Sequence, residues 1–451
     1  MKIQKIEVEK LFGEFDYEIP LNEKDRITII HGPNGSGKTI LLTLVNAFLN
    51  SDFYKFREIP FKSFKLYFDN QTVFNLYKED LELKKKGNSD KAISLNLEIS
   101  EPGLNEIKIP INLINPEDFS FPLAMINNVI PELEQIDFNT WIFFPTGEKL
   151  SLEQVLERFR DKLPFQFKLK NKLAFEHTKS IGERLKNTTV HFIETQRLLR
   201  VSPKRNRNDI MGRNQIMTPV VSEYSKELVE KIQFKLAEYG ALSQSLDRSF
   251  PARLVKVKSS QVQTSEVLQT ELQELETKRS RLIAAGLLDQ EKGIDDKDIQ
   301  RIDDSNRGVL SVYISDVREK LSVFDELTEK IDLMVNIINS RFAHKTLSIS
   351  KKEGFVFKTH NGEVLSPTNL SSGEQHELVL LYEMLFKVKP DTLIMIDEPE
   401  LSLHVGWQIN FLEDLQKITQ HAKFDVLIAT HSPQIINDRW DLTVELKGSD
   451  K

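Results

Sequence analysis

Two apolar runs joined by a glycine loop constrain this chain more than any other feature. Residues 26–31, RITIIH, read as a buried strand, and residues 38–50, KTILLTLVNAFLN, carry apolar side chains at helical spacing. Between them lies Gly32-Pro33-Asn34-Gly35-Ser36-Gly37-Lys38-Thr39, which fits G-x-x-x-x-G-K-[ST]. Strand, glycine loop and helix in that order build an α/β unit. In such a unit backbone N–H groups and the positive end of the helix converge on one point. The glycines let the backbone wrap closely around phosphate oxygens. Lys38 is then placed to reach the β- and γ-phosphates of a nucleotide, and the Thr39 hydroxyl to ligate Mg2+. The plainer alternative is an ordinary glycine turn between strand and helix, which the full eight-residue match in its proper context disfavours.

A second constraint lies far along the chain. In DTLIMIDEPELSLH, four apolar residues (393–396) run directly into Asp397 and Glu398. A buried parallel strand ending in acids sets them at the carboxyl edge of its sheet, where the phosphate loop also belongs. Asp397 is suited to hold Mg2+, directly or through water, and Glu398 to act as general base on an attacking water. The stretch DVLIATHSPQII repeats the pattern, ending at Ala429-Thr430 with His431 just beyond. A lone histidine is by default a surface or core residue, but at a strand tip in a nucleotide site it can bond the γ-phosphate or the water.

The rest of the chain supplies context. KIQKIEVEKLFGEFDYEI alternates about a break at Gly13 and reads as an antiparallel hairpin, and short β-like runs fill residues 63–113. Residues 222–341 are mostly helical. Leu268, Leu272, Leu275 and Leu282 follow a four-three rhythm there, interrupted by Arg279, which suits a short helical hairpin rather than a long coiled-coil arm. The expected layout is one α/β core split in two, residues 1–200 and 343–451, around a helical insertion at 201–342. No apolar run approaches the ~20 residues that span a bilayer, and the alternating start is unlike a signal peptide. Cysteine is absent, so disulfides, thiolate metal sites and a cysteine nucleophile are excluded. A cytoplasmic location fits these features. With 61 Lys+Arg against 68 Asp+Glu the net charge is −7, so any nucleic-acid contact needs a local basic patch. RLLRVSPKRNRNDIMGR offers one, with Arg197, Arg200, Lys204, Arg205, Arg207 and Arg213. It reads equally as a solvated loop or as a contact for a partner.

Leu370-Ser371-Ser372-Gly373-Glu374-Gln375 is a small-residue turn opening an amphipathic helix. Ser371 is a helix cap, and its neighbours can form an N–H-lined concavity of phosphate size. The stretch resembles the LSGGQ or LSGGE signature of ABC-type ATPases, with Ser372 in place of the first glycine. Asp397-Glu398 downstream, His431 in the switch position and Leu401-Ser402-Leu403-His404 in the D-loop position extend the resemblance. It implies ATP with Mg2+ as the ligand, and Gln196, in HFIETQRL, as the Q-loop contact to the metal and water; a surface glutamine is the alternative. It also implies that Ser371, Ser372, Gly373 and Glu374 close over the nucleotide of a second copy, in a head-to-tail dimer or larger homo-oligomer sharing ATP sites.

The order of parts is similar to the SMC/RecF branch, and more closely to the OLD-like ATP-binding proteins of bacterial anti-phage systems, above all the PARIS-type ATPase. That likeness implies a sensor or scaffold that assembles on ATP and holds or activates a separate effector, a Toprim-like or HNH nuclease, with a phage protein as trigger. The chain ends at Lys451, soon after His431, so no Toprim domain of its own is expected. A RecF/SMC-like DNA repair or DNA-end-binding ATPase is the alternative; the missing cysteine, short insertion and acidic balance count against it. The long insertion also counts against a transporter nucleotide-binding domain.

Overall fold

Five parallel strands organise the part of the molecule that carries the glycine loop, in the order Thr189–Ile193, Thr392–Asp397, Asp425–Thr430, Ile27–His31, Thr443–Glu445. The computed structural model describes residues 1–82, 91–111, 125–137, 140–144, 148–159, 162, 181–186, 188–193, 198–203, 215–256, 263–289 and 307–447. The three central strands are buried almost throughout. That is why their sequences read as unbroken apolar runs, since a parallel sheet covered on both faces leaves no polar side. Register then fixes the site: Asp397 pairs with Ala429, and Thr430 with His31, so all three strands end at one edge.

The helix Lys38–Leu49 buries Leu41, Leu42, Leu44 and Val45 completely. Its apolar face shares one core with an antiparallel sheet that runs Phe15–Pro20, Ile3–Leu11, Ser63–Phe68, Val73–Glu82, Lys91–Ser100, Ile107–Ile111. Alternation decides the two faces of that sheet. Ile6, Val8, Phe64, Leu66, Phe74 and Leu97 point into the core with Phe48. On the other face Lys65 Nζ bridges Glu7 and Glu9 at 2.9 and 3.0 Å. The expected hairpin about Gly13 is present, with Gly13 at φ 80°. A small sheet at Leu133–Asp137, Thr140–Phe143 and Glu148–Ser151 encloses the fully buried Trp141.

The chain folds as two compact units, one of residues 1–196, 201–216 and 388–451, the other of residues 197–200 and 217–387. The second unit extends well past the boundary at residue 342 expected from the sequence. Its helix Val220–Lys256 packs on the hairpin Lys345–Ser350 and Gly354–Thr359 and on the helix Ser372–Tyr382. Tyr224 stacks on Tyr382 with ring centroids 4.6 Å apart, and its hydroxyl donates to Glu383 Oε1 at 2.5 Å. Ser225 Oγ donates to Glu353 O at 2.7 Å. The helix bearing Ser372 and Gly373 thus shares its packing with the long helices.

The leucine rhythm also finds its partner. Leu268, Leu272, Leu275 and Leu282 are all buried on the helix Ser265–Ala284. The helix Arg307–Ser322 packs against that helix and against Val220–Lys256 as well. Arg318 pairs with Glu271 at 3.1 Å, and Arg253 grips Asp316 with both guanidinium nitrogens. Among the described residues no helix is long and apolar enough to cross a membrane.

Candidate nucleotide site

Two glycines of the loop are required for different reasons. Gly32 runs so close to the next strand that a Cβ would sit 2.6 Å from Leu446 O. Gly37 has φ 86°, a left-handed conformation open to glycine at little cost, and a Cβ there would meet Leu11 at 3.0 Å. The tip residues Pro33, Asn34 and Gly35 are exposed, whereas Ser36 is buried. Ser36 O accepts a bond from the Tyr17 hydroxyl at 2.9 Å, and burial pushes that phenol up to about 12, keeping it a donor. Ser36 Oγ is buried without a partner.

Lys38, 5% exposed, donates to Gly32 O at 2.9 Å and Pro33 O at 3.1 Å. An ammonium has three donors, so one remains for a phosphate oxygen. Thr39 Oγ1 donates to Asp397 Oδ1 at 3.1 Å, and Asp397 is 8% exposed. Burial raises the Asp397 carboxyl above the usual carboxylate range, and nearby Glu398 and Glu400 push the same way; the Thr39 hydroxyl and Lys38 oppose them. A hydroxyl and a carboxylate in contact beside a phosphate loop are hard oxygen donors of the kind Mg2+ takes. Together with the orphaned Ser36 Oγ they fit a nucleotide–magnesium complex. Among the described residues no group of three or more His, Asp or Glu forms a cage for a metal.

Glu398 leaves the strand in a left-handed conformation, φ 43° and ψ 59°, held by its N–H bond to Ala429 O at 2.8 Å. The turn separates the two acids: Asp397 stays under the loop while Glu398 is displaced outward. His431 Nδ1 lies 3.7 Å from Glu398 Oε1 and 3.2 Å from Glu400 Oε1. Glu400 went unnoticed in the sequence. The signal was present as a third acid in DEPE, but only the fold brings its carboxylate to Thr430 and His431. Leu401 ends the turn Pro399–Leu401, and Ser402, Leu403 and His404 lead to the short helix Val405–Gln408, which His404 caps through its Nδ1 on Gly406 N at 3.2 Å.

Ser371, Ser372, Gly373 and Glu374 belong to the other compact unit. The expected cap is there as a full capping box, with Glu374 Oε2 accepting from Ser371 N at 2.8 Å and from Ser371 Oγ at 2.9 Å. Lys345 Nζ binds both Glu374 oxygens at 2.7 and 2.8 Å. Burial alone would raise the Glu374 carboxyl, but the Lys345 and Ser371 bonds outweigh it and hold the carboxyl below its ordinary value. Glu374 therefore shapes the turn, and the Ser371 hydroxyl is committed to Glu374 Oε2. Gln196 lies outside the described residues, as do Arg197, Lys204, Arg205, Arg207 and Arg213 and the side chain of Arg200.

Comparison with known proteins places these features in a family. A probable branched-chain amino acid transport ATP-binding protein of Methanocaldococcus jannaschii is 31% identical over 145 residues, 30% of this chain and 49% of that protein. The chain thus spans about half the length of the curated relative it matches. The Smc head domain with an extended coiled coil, bound to the C-terminal domain of ScpA, from Pyrococcus furiosus, is 13% identical with a TM-score of 0.33, covering 96% of this chain and 91% of that one. The SMC head domain from Thermotoga maritima is 11% identical with a TM-score of 0.32, covering 97% and 93%. The match to the AAA ATPase domain family runs over residues 1–436, and the chain belongs to that family.

Proposed function

We propose that the chain binds ATP in its loop of residues 32–39 and hydrolyses it, with the site completed by Ser371, Ser372, Gly373 and Glu374 of a second copy. The observation that carries this reading is the meeting of Lys38, Thr39, Asp397, Glu398 and His431 at one sheet edge, where three parallel strands end. Lys38 and the loop N–H groups bind the β- and γ-phosphates. Thr39 and Asp397 hold Mg2+, which when bound supplies positive charge against the phosphate oxygens. Glu398, freed from the metal side by its left-handed turn, takes the proton of the attacking water, and His431 donates to the γ-phosphate. The resemblance of residues 370–375 to the ABC-type signature supports a site shared between copies.

The wider role proposed is that of a sensor or scaffold in anti-phage defence, assembling on ATP and holding a separate nuclease-like effector, Toprim-like or HNH. Its support is the sequence resemblance set out above. The test is the solution mass of wild type and Glu398→Gln, with and without ATP–Mg2+, alone and with the protein encoded next to it. An ATP-dependent dimer or ring, trapped by Glu398→Gln and retaining the neighbouring protein, is expected. A monomer indifferent to ATP and to its neighbour would overturn the reading.

A further inference from the structure

Glu400 has no task in the chemistry so far, yet its side chain is only 6% exposed. Its Oε1 accepts from Thr430 Oγ1 at 2.7 Å and from His431 N at 3.0 Å, and faces His431 Nδ1 at 3.2 Å. Its Oε2 is buried with no partner. The backbone is tied as well: Gln408 Nε2 donates to Glu400 O at 3.2 Å, while Gln408 Oε1 accepts from Ser432 Oγ at 3.2 Å. The turn after the catalytic strand and the tip of the neighbouring strand are thus locked together through one carboxylate.

Two neutral donors do not require a charge. An amide oxygen would accept from Thr430 and His431 N equally well, without the cost of several kcal/mol for burying an ion. A carboxylate is favoured when a facing group carries or shares positive charge, and the ring facing Glu400 is His431. Of the two acids Glu400 lies nearer that ring, at 3.2 Å against 3.7 Å for Glu398.

We propose that Glu400 is the positioning residue for His431: it receives the Nδ1–H, fixes that tautomer, and leaves Nε2 as the nitrogen offered to the γ-phosphate. Because the imidazole is held by Glu400, Glu398 stays available to the attacking water. The catalytic half of this inference rests on the proposed hydrolytic role of His431; the pairing itself does not.

The test therefore has two arms. With 15N-histidine labelling and His431→Gln as the assignment control, nitrogen shifts report the His431 tautomer in nucleotide-free protein. Wild type is expected as the Nδ1–H form, and Glu400→Gln is expected to move toward Nε2–H while Thr430→Val, which spares the charge, does not. In the second arm Glu400→Gln lowers kcat for ATP about 10–100-fold with KM changed less than about twofold, as for other residues that orient a functional histidine. In a His431→Ala background the same change costs nothing further. A wild-type Nε2–H tautomer overturns the proposal even if Glu400→Gln fails to fold, as does an undiminished kcat effect in the His431→Ala background. Wild type that turns over no ATP but shows the tautomer response would fault the hydrolytic reading and uphold the pairing.

Discussion

Thr39 and Asp397 are 358 positions apart in the chain and share a hydrogen bond of 3.1 Å under the phosphate loop. The fold brings the two metal-suited oxygens into contact, so each can be tested through the other. Asp397→Asn should abolish Mg2+-dependent turnover. It should leave metal-free stability at pH 7 unchanged or raised, readable by thermal melting. The sign follows from the raised carboxyl: the fold disfavours the ionised form, so above the usual carboxylate range Asp397 costs stability that the amide does not.

Lys38→Ala removes a buried ammonium whose other bonds go to Gly32 O and Pro33 O. A fluorescent ATP analogue should bind wild type and Glu398→Gln similarly and Lys38→Ala at least about 100-fold more weakly, about 2.7 kcal/mol. Glu398→Gln should reduce turnover by about 100-fold or more, the range of a lost general base. Unchanged binding by Lys38→Ala would contradict a nucleotide role for the loop.

The Lys345–Glu374 pair predicts an acid-sensitive signature turn. The Glu374 carboxyl lies below its unfolded value, so its stabilisation is complete above about pH 4.3 and lost as the pH falls through the folded value. Lys345→Met should cost about 1–3 kcal/mol at neutral pH by leaving that carboxylate short of a partner. It should also flatten the acid limb of the melting profile.

Gly286 has φ 72°, and a Cβ there would lie 2.0 Å from Ile349 O. Ile349 is paired with Phe355 in the hairpin and has little room to yield. Gly286→Ala should cost about 3 kcal/mol or more, combining left-handed strain with overlap. Faster hydrogen exchange across residues 345–350 would show it.

What the sequence revealed depends on distance along the chain. The loop, the acids after residue 396 and His431 were legible because strand, turn and chemistry are contiguous in each. The capping box at Ser371 and Glu374 was half legible for the same reason, with Lys345 supplied by a hairpin strand ahead of it. Glu400 was not legible, since its meaning is a meeting with Thr430 and His431 that only strand register decides. The Tyr224–Tyr382 stack, which joins the later hairpin and helix to the long helices, likewise leaves no trace in local periodicity.

The strand order has a consequence for how the protein is made. The loop strand Ile27–His31 is flanked by Asp425–Thr430 on one side and Thr443–Glu445 on the other, and Leu446 N bonds His31 O at 2.8 Å. A ribosome at ~5–20 residues per second takes roughly 20–80 s to deliver those neighbours after the loop has emerged. During that interval the glycine loop is exposed but lacks the walls that shape it. The nascent chain therefore cannot complete the walls of its glycine loop until residues 425–446 have followed it.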